Sequence, residues 1–131
     1  MADLFSAEWM NSFMEHWNAE PELSDALAQI GFNSVIGYGF DGADKPAGVL
    51  TVENGKAVAA GAFDGQDMNW DIRASEEQWR KWMAKPPGMM GLGMAFTSRK
   101  MKFMVGDYTA MIKDPRMAGP FIKSFSVMGR V

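Results

Sequence analysis

The apolar residues of this chain change period twice, and that change limits it to folds in which helices flank a sheet-forming middle. At the start they recur at helical spacing. Trp9, Met10, Phe13, Met14 and Trp17 fall on one face, with Asn11, Ser12 and Glu15 opposite and His16 at the border. Ser6 is placed to cap this helix, and Glu8 lies in its first turn, where the helix dipole favours an acid. A second helix follows Pro21, with Leu23, Leu27 and Ile30 on one side and Gly31 as its C-terminal stop.

From Asn33 the period drops to two. Asn33–Phe40, Ala47–Glu53, Lys56–Phe63 and Met68–Arg73 read as four short strands. Asn54-Gly55 joins the second to the third, because both central residues of a type I′ turn need positive φ. Met68, Trp70 and Ile72 alternate with polar residues, so one face of the sheet is buried. Short turns between the strands predict an antiparallel meander.

Helical spacing then returns. Ser75-Glu76-Glu77-Gln78 has the form of a capping box, Trp79, Trp82 and Met83 share a face, and Pro86-Pro87 ends the segment. Gly88 to Phe96 is apolar and broken by glycines. Arg99–Val105 alternates as a fifth strand. Gly106-Asp107 opens a further helix, which Asp114-Pro115 either interrupts or restarts. Phe121, Ile122, Phe125 and Met128 form a last stripe after Pro120. The fold class is therefore α+β, with a five-stranded, mainly antiparallel sheet in a single domain over residues 1–131.

Several chemistries are excluded or weakened by composition. There are no cysteines, so disulfides, thiol nucleophiles and Cys-rich metal sites are ruled out. A single histidine, His16, cannot build a three- or four-ligand zinc site with His and Cys alone. The net charge of -3 disfavours a nucleic-acid binder. Gly88, Gly91 and Gly93 lack the Gly-Lys-Ser/Thr of a phosphate loop. Asp41, Asp44, Asp64 and Asp67 lie in turns, without an EF-hand pattern. No basic n-region opens the chain and no apolar run nears the ~20 residues of a membrane span, so a cytoplasmic protein is expected. Neither a metal nor another cofactor is expected.

Thirteen methionines, five tryptophans and nine phenylalanines point to an adaptable apolar interior. Most of these side chains would serve equally well as plain core, so element order and motif spacing carry more weight than their number.

The stretch from Met68 to Lys113 resembles the sterol carrier protein 2 family of small lipid-binding domains. The features that carry the resemblance are Trp70-Asp71-Ile72, Ser75-Glu76-Glu77 with Trp79 and Trp82, the residues around Phe96, Lys100-Met101-Lys102-Phe103, and Gly106-Asp107. The first half of the chain matches by element order. Pro86-Pro87, Gly88-Met89-Met90-Gly91 and the extension to Val131 depart from the family pattern.

The resemblance implies helices packed on one sheet face and, between them, an apolar tunnel for a sterol, fatty acyl chain or other lipid. It implies binding or transfer without catalysis. A lipid-handling enzyme or a membrane surface is then a transient partner, and nucleic acid is not one. The residues expected to line the site are Trp79, Trp82, Met83, Met101, Phe103, Phe121 and Phe125. Met89, Met90, Leu92, Met94 and Phe96 are expected as a mouth or lid, with Arg99, Lys100 and Lys102 near a head group. Two other readings use the same chain. One is a small isomerase-like or hydrolytic enzyme with Tyr38 and Asp71 or Asp107 as an acid–base set. The other is an interaction module with an exposed apolar patch.

Overall fold

The hydroxyl of Ser6 accepts a hydrogen bond from the Trp9 N–H at 3.2 Å and starts the first helix, α1 (Ala7–Asn18). The structure, a computed structural model, describes residues 2–131. α1 buries Trp9, Met10, Phe13 and Trp17, as its spacing predicts. Just before it, Phe5 takes a φ of 63° and is wholly buried. A left-handed phenylalanine is strained. Here the strain is held by packing, since its ring meets Trp9 at 5.2 Å and Trp79 at 5.0 Å between centroids. α2 (Ser24–Gln29) follows and buries Leu27.

The sheet contains β1 (Ser34–Phe40), β2 (Gly48–Glu53), β3 (Lys56–Ala62), β4 (Trp70–Ala74) and β5 (Lys102–Val105), in the order β3-β2-β1-β4-β5. β2 and β3 form the hairpin that Asn54-Gly55 predicts, with φ of 49° and 80° at the turn. The meander, however, is not formed. β4 leaves the hairpin edge and pairs with β1 in parallel, Ile36 opposite Trp70 and Tyr38 opposite Ile72. Alternating residues fix which face of a strand is buried, and they do not choose its neighbour. Asn69 clasps β1 at the start of this pairing: its side chain accepts from the Val35 N–H at 2.8 Å while its own N–H donates to the Val35 carbonyl at 2.9 Å.

Ile36, Tyr38, Leu50, Val52, Ile72 and Ala74 point to the helical side of the sheet and belong to the core. α1 and α2, together with α3 (Glu76–Ala84), α4 (Met89–Thr97), α5 (Tyr108–Lys113) and α6 (Pro115–Met128), complete the fold. Over β1 the opposite face is covered by connections. Met68 and Pro46 sit where a side chain at Gly37 would be, so glycine there lets the β3–β4 and β1–β2 connections lie directly on the strand.

Some boundaries differ from the sequence reading. The fourth strand starts at Trp70 and not Met68, and the fifth at Lys102 and not Arg99. Residues 99–101 are used to end α4: Arg99 has a φ of 63°, and the N–H groups of Lys100 and Met101 both donate to the Ala95 carbonyl. Asp114 settles the last helix. Its side chain accepts from the Arg116 N–H, and Pro115 occupies the first turn, so α6 starts there and runs through Pro120. Arg130 and Lys123 then pair with Glu20 and hold the end of α6 against the turn between α1 and α2.

Candidate functional site

The layer between sheet and helices is filled unevenly. At the C-terminal end of β1 it is dense with rings. Trp79 is fully buried and its indole N–H donates to the Gly39 carbonyl at 2.9 Å. Around it lie Phe5, Tyr38, Trp82 and Phe125, with centroids between 5.0 and 6.2 Å from its own. At the N-terminal end of β1 the layer is not closed. A cavity of about 50 Å³ lies between Ile36, Tyr38, Trp70, Ile72 and Phe103 of the sheet and Trp17, Leu23, Leu27, Phe32, Met111, Met117, Pro120, Phe121 and Ser124 opposite.

Among the described residues no charged side chain lines this cavity. Its two indole N–H groups are already engaged, Trp17 with the Gly55 carbonyl at 2.9 Å and Trp70 with the Ser34 hydroxyl at 3.3 Å. Ser124 donates its proton to the Phe121 carbonyl one turn back. Tyr38 differs from these. Burial alone acts on its phenol, pushing it above its ordinary range, and no hydrogen-bond partner acts on it. Among the described residues no fully enclosed side-chain nitrogen or oxygen lacks a partner. The Tyr38 hydroxyl is therefore not fully enclosed, and the open space this residue lines is the cavity.

The cavity borders a surface groove of about 670 Å³. Phe32, Trp70, Met111 and Met117 line both, so these four side chains form the partition between them. The groove runs between residues 30–34, the start of β4, and the segment from Gly106 to Met117. Gly106, with a φ of 107°, lets the chain pass directly over the Trp70 ring, where any side chain would collide. The charged residues along the groove are Asp107, Asp114 and Arg116. Arg116 grips Asp114 through two hydrogen bonds, 3.1 and 2.9 Å, and this holds the Asp114 carboxyl below its usual range. Asp107 caps α5 by accepting from the Ala110 N–H.

The residues that the sequence singles out are not gathered in one place. Phe103 and Phe121 line the cavity. Trp79, Trp82, Phe125, Leu92 and Met101 are buried in the core, with Met83 half-buried against it. Phe96 stacks on Tyr108 at 4.1 Å and meets Phe103 at 6.1 Å, one ring away from the cavity. Met89, Met90 and Met94 face outward, Met90 being 83% exposed and Met94 71%. Lys102 pairs with Asp41 at 2.8 Å, beside the C-terminal end of β1. That is the far end of the sheet from the groove.

The remaining lining residues come from elements that the sequence reading treats as scaffold: the end of α1, α2, β1, β4 and the α5–α6 junction. Their apolar stripes are visible in the sequence, but only the strand order brings them to one place. Tyr38 and Asp71 lie on opposite faces of the sheet, since Tyr38 stands beside Ile72 and Asp71 beside Gly37. Asp71 is gripped by Arg73 through bonds of 2.7 and 2.9 Å. Asp107 is exposed. The acid–base set considered from sequence is therefore not assembled. Among the described residues no cluster of three or more His, Asp or Glu is arranged to hold a metal, and no helix is long and apolar enough to cross a membrane.

No protein-family model and no curated relative matches the sequence. Solved structures do match. A crystal structure of sterol carrier protein 2 superposes with a TM-score of 0.74 at 17% identity, over 98% of this chain and 99% of that one. A conserved hypothetical protein of Thermus thermophilus, described as possibly a sterol carrier protein, gives 0.71 at 15% identity, over 98% and 89%. A ubiquinone synthesis protein described as UbiJ-SCP2 gives 0.58 at 13% identity, over 95% and 88%.

Proposed function

We propose that this chain, which has the sterol carrier protein 2 fold, binds an apolar small molecule between its sheet and helices without transforming it. The observation that carries this reading is the cavity at the Ile36–Ile72 end of the layer, lined by no charged side chain among the described residues and mostly by apolar ones, and separated from an open groove by four side chains. Pockets that take drug-sized ligands span roughly 300–1,000 Å³. The cavity holds about 50 Å³, so the bound state needs the partition to move. Met111 and Met117, on either side of the Asp114-Pro115 break, are the pieces suited to this. Methionine is unbranched and re-packs at low cost, and the six-residue α5, joined to α6 at a proline, shifts more readily than one continuous helix.

The absence of a carboxylate from the described cavity lining favours binding over isomerase chemistry. One structural neighbour is a ubiquinone synthesis protein and another is sterol carrier protein 2. A domain of this shape would present such a ligand to an enzyme or carry it from a membrane. The exposed Met90 and Met94 on α4 are the candidate contact with either.

Trp17 and Trp70 provide an internal reporter, since both rings line the cavity. Titrating delipidated protein with dodecanol is expected to change tryptophan emission and to saturate at one ligand per chain. Emission that drifts linearly with dodecanol, with no saturation, would remove the support for an internal site.

A further inference from the structure

The polar groups at this site are few enough to say which kind of ligand they accept. Among the described residues there is no cation inside the cavity to hold an anionic head group. In the groove outside, the only cation along the described wall is Arg116, and its guanidinium is engaged by Asp114. With Asp107 added, the groove carries two carboxylates against one guanidinium. Arg99, Lys100 and Lys102, the cations nearest in sequence to the cavity residue Phe103, lead into β5 at the other end of the sheet from the groove. A carboxylate or phosphate would meet a net negative wall and then an apolar interior, where an unpaired charge is strongly disfavoured. A neutral ligand meets neither obstacle.

One group within the cavity is positioned to orient such a ligand. Tyr38 is 2% exposed, and its hydroxyl has no partner among the described residues. Its hydroxyl is not fully enclosed, so it is available to a ligand oxygen placed in the cavity that Tyr38 lines.

Resting on the binding reading above, we propose that the site selects a neutral apolar molecule bearing a hydroxyl or carbonyl oxygen, an alcohol, ketone or quinone and not an anionic lipid, and that the Tyr38 hydroxyl donates the hydrogen bond that orients it. Tyr38 is a specificity residue in this view and has no catalytic part.

The experiment compares dodecanol with dodecanoate near pH 8, where a carboxyl group is ionised. The two probes differ at the head and by one buried methylene, which favours dodecanol by about 0.8 kcal/mol or roughly fourfold, so the head group must account for the rest. Dodecanol is expected to bind at least about tenfold more tightly. Tyr38→Phe should weaken dodecanol about fivefold, the usual worth of one net hydrogen bond, and leave dodecanoate unchanged. Asp107→Asn keeps a good helix cap while removing the groove's unpaired charge, and it should narrow the gap between the two probes. Tighter or equal binding of dodecanoate overturns the proposal, as does a Tyr38→Phe variant that binds dodecanol as before. If neither probe saturates, the binding reading falls and this proposal with it; if both saturate with dodecanoate favoured, only the proposal falls.

Discussion

Replacing Arg73 by methionine is expected to cost about 3–5 kcal/mol, enough to leave the domain marginal, since small domains have only about 5–15 kcal/mol in total. Arg73 and Asp71 are each 4% exposed and lie two residues apart on β4, on the face of the sheet that carries no helices. Their pairing is bidentate, and the third guanidinium nitrogen donates to the Ala43 carbonyl at 2.8 Å. The β1–β2 connection therefore closes over the pair. Methionine would leave the Asp71 carboxylate buried without its partner and the Ala43 carbonyl without its donor. The cost arises from that orphaned charge more than from any large net gain of the pair itself. The double substitution Asp71→Leu with Arg73→Met should accordingly recover much of the loss. Urea unfolding of the two single variants and the double variant measures this as a cycle. A loss below about 1 kcal/mol for Arg73→Met would show that the loops over this face part and admit water to the pair.

Ser124→Leu should separate stability from binding. Ser124 is buried on α6, faces the cavity, and uses its hydroxyl only on its own helix. A leucine there fills space that is empty in the free protein. A cavity of about 50 Å³ corresponds to about 1 kcal/mol at roughly 24 cal/mol per Å³, so the thermal midpoint should stay level or rise. Dodecanol binding should weaken at least about tenfold, a change of about 1.4 kcal/mol. Ser124→Ala is the control: it removes the hydroxyl without filling the space and should bind nearly as the natural protein does. If Ser124→Leu binds normally, the ligand lies elsewhere.

The parts of the fold that depend on neighbours in sequence were legible there. Ser6, Ser75 and Asp107 each accept a backbone N–H at the start of a helix, and Asn54-Gly55 makes the hairpin turn. What depends on distant partners was not. The alternation of Trp70 and Ile72 is the same whether β4 pairs with β3 or with β1, and the Asn69–Val35 bonds that accompany the observed pairing join residues far apart in the chain. Phe5 gives no local sign of a positive φ, because the strain is held by Trp9, Tyr38, Phe40 and Trp79.

The site follows the same division. The sequence shows that Trp79, Trp82 and Phe125 share the buried layer with Phe103 and Phe121. It does not show which end of the layer the rings fill. That end is set by Phe5, Tyr38 and Trp79 meeting from three separate parts of the chain, and the cavity is the space they leave at the other end.

Amide chemical-shift mapping during a dodecanol titration tests the central claim most directly. The expected shifts saturate together and concentrate at Leu23, Leu27, Ile36, Ile72, Phe103, Met111, Met117 and Phe121, with α3 and α4 little changed. Saturating shifts confined to Met89–Thr97, with Leu27, Ile72 and Met117 silent, would contradict an internal ligand at this end of the layer.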